Sequence, residues 1–501
     1  MTYRLASDKE LTDAKLGEFI ARHNGECVFR YERLKNAYET DYPILYEPEK
    51  PKWKPDNRIV VNFAKYIVDT MIGFFIGNPI KLSVNEGHET VEKYVEFLDQ
   101  YNDQDDNNAE LSKICSIYGK GYEMYYVDDK GNIGITYLSP FDGFMIYDDS
   151  VLCKERYFVR LYYDAEQVLH GSVSDDVKVR WFTMRGKIVW DEKDKIHGFD
   201  GVPVTEYVEN AEKIGIFEPV LTMIDAYNKA ISEKANDVDY FADAYLKILG
   251  VYLDEDEVKH IRDDRIINFD GDAENLIVDF LQKPDGDTTQ EHLIERLEKL
   301  IFQISMVANI SDENFGTSSG IALKYKMLAM SNLAKTKERK FTSGMNRRYR
   351  LIFSNPVSGM KKDDWVHINP HFTPNFPANI LEESQIAGNL DGIVSQDTQL
   401  KVLSIVDNTQ DEIDKIEAEQ EKIKASDSVM AQMFTNQAPQ NDVGGAEIQG
   451  KSLNGAQTQS LIAIMSQFSA GSLSEGQAMN LIATAIGISK EEAKEILNGE
   501  L

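Results

Sequence analysis

The stretch IVDTMIGFFIGNPIKLS, residues 67–83, decides the class of fold, because it could belong to a membrane anchor or to a buried helix. A membrane-spanning helix needs about 20 apolar residues in succession. Even when the stretch is extended back to Ile59, polar residues at 62, 65 and 69 interrupt it. Near-helical spacing of apolar residues instead predicts a buried helix over residues 59–77. The apolar face is formed by Val61, Val68, Ile72 and Phe75.

Helix and strand patterns follow each other on both sides of this helix. Gly77-Asn78-Pro79 ends it, since glycine allows a left-handed cap and proline cannot continue a helix. Next come a short strand at IKLSV, a helix over 89–101, a polar break NDQDDNN and a helix over 109–118. The segment GKGYEMYYVDDKGNIGITYL predicts a hairpin with an Asp-Asp-Lys-Gly-Asn turn, and strand patterns continue to about residue 208. Residues 1–215 are therefore predicted to form an α+β domain.

Long helices dominate the pattern beyond residue 215. One helix of about 32 residues is predicted from Glu218 to Leu249, and it would span roughly 48 Å. A second helix is predicted from Thr288, where Thr-Thr-Gln-Glu has the form of a capping box. Between them, residues 251–287 carry two strand patterns, RIINF and NLIVDFL. Residues 251–288 hold 12 acidic and 4 basic residues, so a small acidic α/β module is predicted between the two helices.

A concentration of basic residues marks the next helical pattern, which runs from residue 321 to about 352 after the break SDENFGTSSG. Over residues 321–350 nine basic residues stand against one acidic residue, Glu338. A basic run on a helix is most often a solvated face, but this one contrasts with the rest of the chain, so a binding role is the alternative. The nine are Lys324, Lys326, Lys335, Lys337, Arg339, Lys340, Arg347, Arg348 and Arg350.

The chain as a whole is acidic, with a net charge of −30 over 501 residues. Such a chain is a poor general binder of nucleic acid, because affinity for phosphates comes from Lys and Arg. It could still line a path along which a polyanion slides without sticking. Three widely spaced cysteines with no CxxC pair indicate a reducing compartment, and the first residues lack the pattern of a signal peptide.

The C-terminal part consists of polar helices and a linker. Residues 380–425 have a polar helical pattern. Residues 426–455 are rich in Gln, Asn, Gly and Ser, which predicts a disordered linker. Residues 456–501 return to helical spacing of apolar residues, which predicts a small helical tail.

Catalytic and metal-binding motifs are weak in this sequence. Residues 445–452, GAEIQGKS, match the P-loop pattern, but a linker precedes them where an apolar strand is needed, so chance explains the match. His367 and His371 are four residues apart, but Pro370 lies between them and the context is a strand or turn, which argues against a helical zinc site. Acidic pairs such as those at 105–106, 148–149 and 263–264 are expected to be surface charges. We therefore predict no enzyme activity, no cofactor and no metal.

The order of several segments resembles one protein family. NRIVVNFAKYIVDTMIGFFIGNPI, GKGYEMYYVDDKGNIGITYLSPFDGFMIYDD, GVPVTEYVEN and FEPVLTMIDAYNKAISEKANDVDYFADAYLKILG occur in this order within residues 58–420. They resemble the portal proteins of tailed double-stranded DNA phages, most closely the type found in siphophages of Gram-positive hosts. The end of the chain, from NGAQTQSLIAIMSQF onward, resembles a C-terminal extension of some phage portals.

The resemblance implies a ring, usually of twelve subunits, at one vertex of the capsid, assembled in the host cytoplasm. DNA is packaged and ejected through its central channel. It implies that the chain divides into a wing (1–215), a first stem helix (216–250), a clip (251–287), a second stem helix (288–311), a wing and channel helix with loops (312–383), a crown (384–425), the linker (426–455) and the tail (456–501).

The resemblance also implies partners and candidate contact residues. The ring would meet the large terminase, a head–tail adaptor, the major capsid and scaffolding proteins, and DNA without sequence specificity, but no membrane. The clip candidates for terminase and adaptor are Asp254, Glu255, Asp256, Asp263 and Asp264. The candidates that face DNA or neutralise acidic residues between subunits are Lys337, Arg339, Lys340, Arg347, Arg348 and Arg350.

Two other classes of protein remain as alternatives. A minor capsid or adaptor protein would form no ring of its own. A metal-dependent nuclease would act through acidic clusters, and the sequence has no spaced motif of acidic residues and lysine that supports one.

Overall fold

A computed structural model describes most of the chain, which divides into two compact units, Met1–Glu383 and Ser384–Leu501. The described residues are 2–51, 54–242, 246–249, 277–280, 287–310, 325–375, 380–403, 405–406, 409–420, 422, 461, 464–465, 468 and 473–498.

The first unit combines helices with several β-sheets, as the α+β prediction requires. A π-helical turn, Cys27–Tyr31, joins its first two helices into one rod. The helices are α1 (Asp13–Glu26), α2 (Glu32–Tyr38), α3 (Phe63–Ile76), α4 (Glu89–Tyr101), α5 (Gln104–Tyr118), α6 (Leu221–Ala242), α7 (Asp287–Ser305) and α8 (Leu328–Ser354).

Among the described residues, the strands of the first unit form a six-stranded sheet and three smaller sheets. In the large sheet the order is β1-β5-β6-β7-β8-β9, with β1 parallel to β5 and the other neighbours antiparallel. The small sheets have the orders β10-β3-β4, β11-β12 and β13-β2. The strands are β1 (Tyr3–Arg4), β2 (Lys81–Val84), β3 (Lys120–Val127), β4 (Ile133–Leu138), β5 (Gly143–Tyr147), β6 (Glu155–Tyr163), β7 (Leu169–Ser174), β8 (Lys178–Met184), β9 (Ile188–Ile196), β10 (Val204–Val208), β11 (Leu246–Leu249), β12 (Ile277–Phe280) and β13 (Ile368–His371).

The stretch at residues 67–83 forms part of helix α3 and strand β2, as predicted, but the helix starts after residue 59 and Gly77 is right-handed, with φ −64°, where a left-handed cap was predicted. The helix starts at Phe63 because the Asn62 side chain caps it, accepting a hydrogen bond from the Lys65 backbone N–H at 2.9 Å. Most of its side chains are buried, including Ile67, Val68 and Met71, so tertiary packing stabilises it. Among the described residues no helix is long and apolar enough to span a membrane.

The predicted hairpin is strands β3 and β4. Its turn is held by Asp128, whose Oδ1 accepts hydrogen bonds from the backbone N–H of Lys130 at 2.9 Å and of Asn132 at 2.8 Å. Gly131 follows in the left-handed region, with φ +80°, where a residue without Cβ is favoured. Local turn chemistry therefore accounts for this hairpin.

The predicted single helix from Glu218 to Leu249 is wrong at its end. The α-helix stops within the described residues at Ala242, and Leu246–Leu249 is a strand that pairs antiparallel with Ile277–Phe280. Hydrogen bonds to a distant strand decide the state of the LKIL segment, and helical periodicity cannot register them. The strand predicted at NLIVDFL is confirmed, and the one predicted at RIINF lies outside the described residues.

The predicted polar break NDQDDNN is also wrong. Helix α5 already begins at Gln104, so most of the break is its first turns. Asp105 and Asp106 lie in the first turn, where carboxylates interact favourably with the partial positive charge of the helix start.

The second unit is helical where it is described. Its short helices are α9 (Ile380–Leu390, which begins at the boundary), α10 (Gln396–Leu400), α11 (409–420), α12 (Glu475–Ile486) and α13 (Lys490–Asn498). Helix α12 starts with a capping box between Ser474 and Gln477. The last two helices pack around Ile482, Ile486 and Ala493, which are buried. The linker predicted at 426–455 lies outside the described residues.

Candidate functional site

Helix α8 carries most of the predicted basic run, and its residues separate onto two faces. The buried face lies against strand β10. Gly344 permits the close approach, because a Cβ at this position would lie 2.3 Å from a ring carbon of Tyr207. Of the six predicted DNA-facing residues, Lys337 and Arg348 point into this buried face, and Arg339 and Arg350 are exposed.

Arg348 lies at the centre of a buried polar network. Its Nε and Nη2 donate to the two carboxylate oxygens of Glu123 at 2.8 and 2.7 Å, which is a bidentate ion pair. Nη2 also donates to Asn108 Oδ1 at 2.7 Å. The hydroxyls of Tyr125 and Tyr207 donate to Glu123 Oε2 at 2.7 and 3.1 Å. Arg348 is 0% exposed and Glu123 is 1% exposed, so this pair is sealed inside the subunit.

The charge of Arg348 is stabilised by its partner. Burial by itself lowers the pKa of the guanidinium, but the Glu123 carboxylate raises it, and the net result is a pKa well above the ordinary value. A permanently charged arginine, held by its bidentate pair with Glu123, therefore links helix α8 to strand β3.

Lys337 forms a second buried ion pair on the same face. Its Nζ donates to Glu209 Oε2 at 2.5 Å, to Ser116 Oγ at 2.5 Å and to the Ser112 carbonyl at 3.1 Å. Both charged side chains are 2% exposed. This pair links helix α8 to helix α5 and to the residue after strand β10.

The expectation that Lys337 and Arg348 face DNA is therefore corrected. Both cations neutralise carboxylates of their own chain in its core, where DNA cannot reach them. The sequence contains a signal that could have shown this. Phe341, Met345 and Ile352 lie three, four or seven residues from Lys337 or Arg348, so all five side chains share one face of the helix. A helix face with such apolar residues is expected to be buried.

Arg347 occupies an intermediate position. Its Nη1 lies 3.1 Å from Glu155 Oε2, and the two side chains are 15% and 25% exposed. The pair joins helix α8 to the first residue of strand β6. Arg347 therefore lies at the edge of the surface, and the Glu155 carboxylate of the same chain neutralises its charge.

The opposite face of α8 carries a basic stripe, which we define as Lys335, Arg339, Lys340 and Arg350. Lys335, Arg339 and Arg350 are exposed and Lys340 is partly exposed. Within the part of the chain that the structure describes, none of the four forms an ion pair. Lys335 was not among the predicted contact residues. Lys335 lies four residues before Arg339, so the two residues share one face of the helix and Lys335 belongs to the stripe.

The basic stripe borders a cleft of about 690 Å³. Lys340 and Arg350 line it, together with Arg347 and with Lys154 from the loop before strand β6. Lys154 forms no ion pair with another described residue. Only the tertiary fold brings Lys154 to this cleft, since no sequence pattern connects it with helix α8.

The two carboxylates of the cleft are already matched. Glu155 pairs with Arg347, and Glu206 lies 2.5 Å from Lys213 Nζ. Burial by itself would raise the pKa of the Glu206 carboxyl, but Lys213 and Lys120 hold it below the ordinary value, so Glu206 stays ionised. The cleft therefore presents the unmatched charges of Lys154, Lys340 and Arg350, which suits an anion.

The other predicted sites contribute little to a reactive centre. His371 Nε2 lies 2.7 Å from Ser83 Oγ, and the His367 ring stacks on His88 with centroids 3.7 Å apart. Among the described residues no group of three or more His, Cys, Asp or Glu could hold a metal ion. The P-loop-like segment at 445–452 and all five clip candidates, Asp254, Glu255, Asp256, Asp263 and Asp264, lie outside the described residues.

Comparison with known proteins connects this architecture to one family. Residues 18–426 match the family described as Phage portal protein, SPP1 Gp6-like. The chain belongs to this family. The prediction of a phage portal protein is therefore confirmed, and the family is a structural, non-enzymatic kind of protein.

One curated protein and one solved structure are similar to this portal-family chain. It is 23% identical over 415 residues to the portal protein of Clostridium phage phiCD119, covering 75% of this chain and 88% of the relative. It is also similar to a chain in a solved structure titled "Neck of empty GTA particle computed with C6 symmetry". That likeness has a TM-score of 0.39 and 11% identity, and it covers 68% of this chain and 89% of the other.

Proposed function

We propose that this portal-family chain forms a ring, of twelve copies, at one capsid vertex and that DNA enters and leaves the capsid through its channel. The observation that carries the proposal is the family match over residues 18–426. In this proposal the ring docks the large terminase during packaging and a head–tail adaptor afterwards, and it contacts the major capsid and scaffolding proteins during assembly.

The parts of the subunit follow from this proposal. Residues 1–215 with helix α8 form the wing, and residues 384–425 form the crown. Helices α6 and α7 form the stem. Lys234 and Glu291 form an ion pair between them, and Gln290 Nε2 donates to Asp237 Oδ2 at 2.9 Å. The clip consists of residues 251–287 together with the flanking strand β11, which pairs with β12. The acidic clip candidates in this segment contact the terminase and the adaptor.

Electrostatics support a conduit. A channel with many unmatched cations would bind the phosphate backbone strongly and stall it, because each neutralised phosphate adds salt-dependent affinity. In this chain the two buried cations of helix α8, Lys337 and Arg348, are paired with buried carboxylates. We propose that only the basic stripe, with Arg339, Lys340 and Arg350 from the predicted set, contacts DNA. A few such contacts per subunit can centre a duplex without holding it.

The first test of this function is the mass of the purified protein. The expected result is a closed ring of about 680 kDa, twelve copies of the 56.9 kDa chain, with a central hole. Native mass spectrometry with negative-stain imaging measures both properties. A ring with a neighbouring copy number would change only the count. A monomer or dimer at every concentration would contradict the ring and favour a minor capsid or adaptor protein.

The second test reverses the charge of the basic stripe. Arg339→Glu with Arg350→Glu is expected to leave the ring intact, because both side chains are exposed, and to lower the amount of packaged DNA by roughly tenfold. The measurement is nuclease-protected DNA per capsid.

The matched control for charge reversal is Lys93→Glu with Lys187→Glu, which changes the net charge equally at two exposed positions that lie outside helix α8 and form no ion pair within the described residues. The control is expected to package normally. Equal packaging by the stripe variant and the control would contradict the DNA contact and leave the ring proposal untouched.

A further inference from the structure

The loop between strands β5 and β6 presents two apolar side chains to solvent. Val151 is 101% exposed and Leu152 is 75% exposed. We call the loop 148–154 the apolar knob. Single exposed apolar residues are common on protein surfaces, but two adjacent ones at the tip of one loop form a small contiguous apolar surface.

The knob is held rigidly in this exposed form. Asp148 Oδ1 accepts hydrogen bonds from Ser150 Oγ at 2.7 Å and from the Lys154 backbone N–H at 2.9 Å. Asp149 Oδ1 accepts from the backbone N–H of Ser7 at 3.0 Å and from its Oγ at 2.7 Å. Cys153 adopts φ +46°, a left-handed conformation that costs energy for a non-glycine residue. A loop fixed in this way cannot fold its apolar tip back, so the tip is preorganised for a partner.

A cavity elsewhere on the same unit has an apolar lining that could accept the apolar side chains of the knob. Its volume is about 530 Å³, and it lies between the end of strand β3, the face of strands β6–β9 and the turn after helix α8. Apolar groups make up most of its lining, including Met124, Tyr125, Tyr126, Val179, Trp181 and Pro203. Its size is sufficient for two aliphatic side chains, since ligand pockets begin at about 300 Å³.

Cations border this apolar cavity. Arg160 and Lys195 both line it, and neither forms an ion pair with another described residue. Arg160 Nε is buried and has no hydrogen-bond partner within the described residues. Asp128 lines the cavity as well, but its carboxylate is occupied by Tyr101 and by the hairpin turn. The cavity therefore favours an apolar partner that carries negative charge.

The charge of the apolar knob is opposite to that of the cations that border the cavity, and Phe29 is a strongly exposed hydrophobic side chain for comparison. Phe29 is 84% exposed, and its neighbour Arg30 is paired with both Glu218 and Glu26. The knob has two carboxylates and one cation, Lys154, so its net charge is −1. Neither carboxylate forms an ion pair within the described residues, and Asp149 is the exposed one of the two, because Asp148 is only 8% exposed. The hydrogen bonds to Ser150 hold the pKa of Asp148 below its ordinary value, and those to Ser7 do the same for Asp149. Both residues are therefore anionic at neutral pH.

We propose that the apolar knob of one copy of this chain inserts into the apolar cavity of the next copy. This inference rests on the proposed ring. Knob and cavity are different surfaces of one subunit, and pairing different surfaces produces the head-to-tail contacts from which closed rings are built. Two aliphatic side chains bury too little area for a stable interface by themselves, so the knob sets the position of neighbours within a larger contact.

Photo-crosslinking tests the contact directly. Leu152→p-benzoylphenylalanine in the full chain is expected to give crosslinks between copies that map to peptides containing Tyr126 or Trp181. The same photo-reactive residue in place of Phe29 is the matched control, and it is expected to give no crosslinks to those peptides. A ring whose Leu152 crosslinks map elsewhere, or only within one copy, would overturn the knob contact and leave the proposed function standing.

A substitution experiment checks the energetic side of the same contact. Val151→Asp with Leu152→Asp is expected to raise the protein concentration at half-assembly at least tenfold, and both residues are exposed, so the subunit still folds. Tyr163→Asp with Val189→Asp, at two exposed positions of the same sheet that do not line the cavity, is the control and is expected to assemble normally. Equal assembly of both variants would contradict the proposal. Failure of the unmodified chain to form any ring would instead overturn the proposed function and this contact with it.

Discussion

Arg348→Met is expected to lower the free energy of unfolding of the Met1–Glu383 unit by about 3–5 kcal/mol, the range for removing one partner of a buried ion pair. The substitution leaves the Glu123 carboxylate 1% exposed with no counter-charge. Domains are stable by about 5–15 kcal/mol, so the loss is a large fraction of the total. Urea unfolding followed by tryptophan fluorescence measures it, because all four tryptophans of the chain lie in this unit.

Two further variants make the interpretation specific. Arg350→Met, two residues along the same helix but exposed, is expected to change stability by no more than about 0.5 kcal/mol. Adding Glu123→Gln to Arg348→Met removes the uncompensated charge and is expected to recover part of the loss. If Arg348→Met costs no more than Arg350→Met, the buried pair does not stabilise the fold in the way described.

Asp99→Asn is expected to stabilise the same unit, by about 2 kcal/mol at pH 7.5. Burial raises the pKa of the Asp99 carboxyl from 3.8 to about 6, and Oδ1 has no hydrogen-bond partner among the described residues. Between pH 3.8 and about pH 6, Asp99 keeps its proton in the folded chain and releases it in the unfolded chain. Stability therefore falls as the pH rises from about 4 to about 6, and the full cost of the buried charge is present above 6. The amide carries no charge, so it removes this cost.

The pH dependence separates this effect from a change in packing. At pH 5 the gain from Asp99→Asn is expected to be roughly half of that at pH 7.5, because part of Asp99 is then protonated in the folded state. Glu96→Gln, at an exposed position of the same helix, is the control and is expected to give no gain that depends on pH in this range. Equal gains from Asp99→Asn at the two pH values would contradict the assignment to titration. Urea unfolding curves of each variant at pH 5 and at pH 7.5 distinguish titration of Asp99 from a change in packing.

Local chemistry explains the elements that could be predicted. Helix α3 follows from its apolar spacing, and the Asn62 cap places its start at Phe63, four residues after the predicted start. The β3–β4 turn follows from the Asp128 side chain and Gly131. In each case the residues that determine the structure lie within a few positions of one another, so the signal is contained in a short window. The ordered set of such windows was also sufficient to indicate the portal family.

Pairing over long distances explains the elements that could not be predicted. The LKIL segment has apolar spacing that suits a helix, but its backbone hydrogen bonds go to residues 277–280. Lys154 reaches the cleft beside Arg350 only because strand β6 and helix α8 meet. Such partners are separated by tens to hundreds of residues, and no local pattern reports them.

The sequence by itself determined the α+β class, most helices and strands, the concentration of nine cations in residues 321–350 and the family. Only the tertiary structure decided which of these cations remain available to a partner. Arg339 and Arg350 stay in solvent, whereas Lys337 and Arg348 meet Glu209 and Glu123, which lie more than 100 residues away in the chain. The physical reason is that a charge can be buried only where an opposite charge and hydrogen-bond partners converge on it, and that convergence is a property of the folded chain.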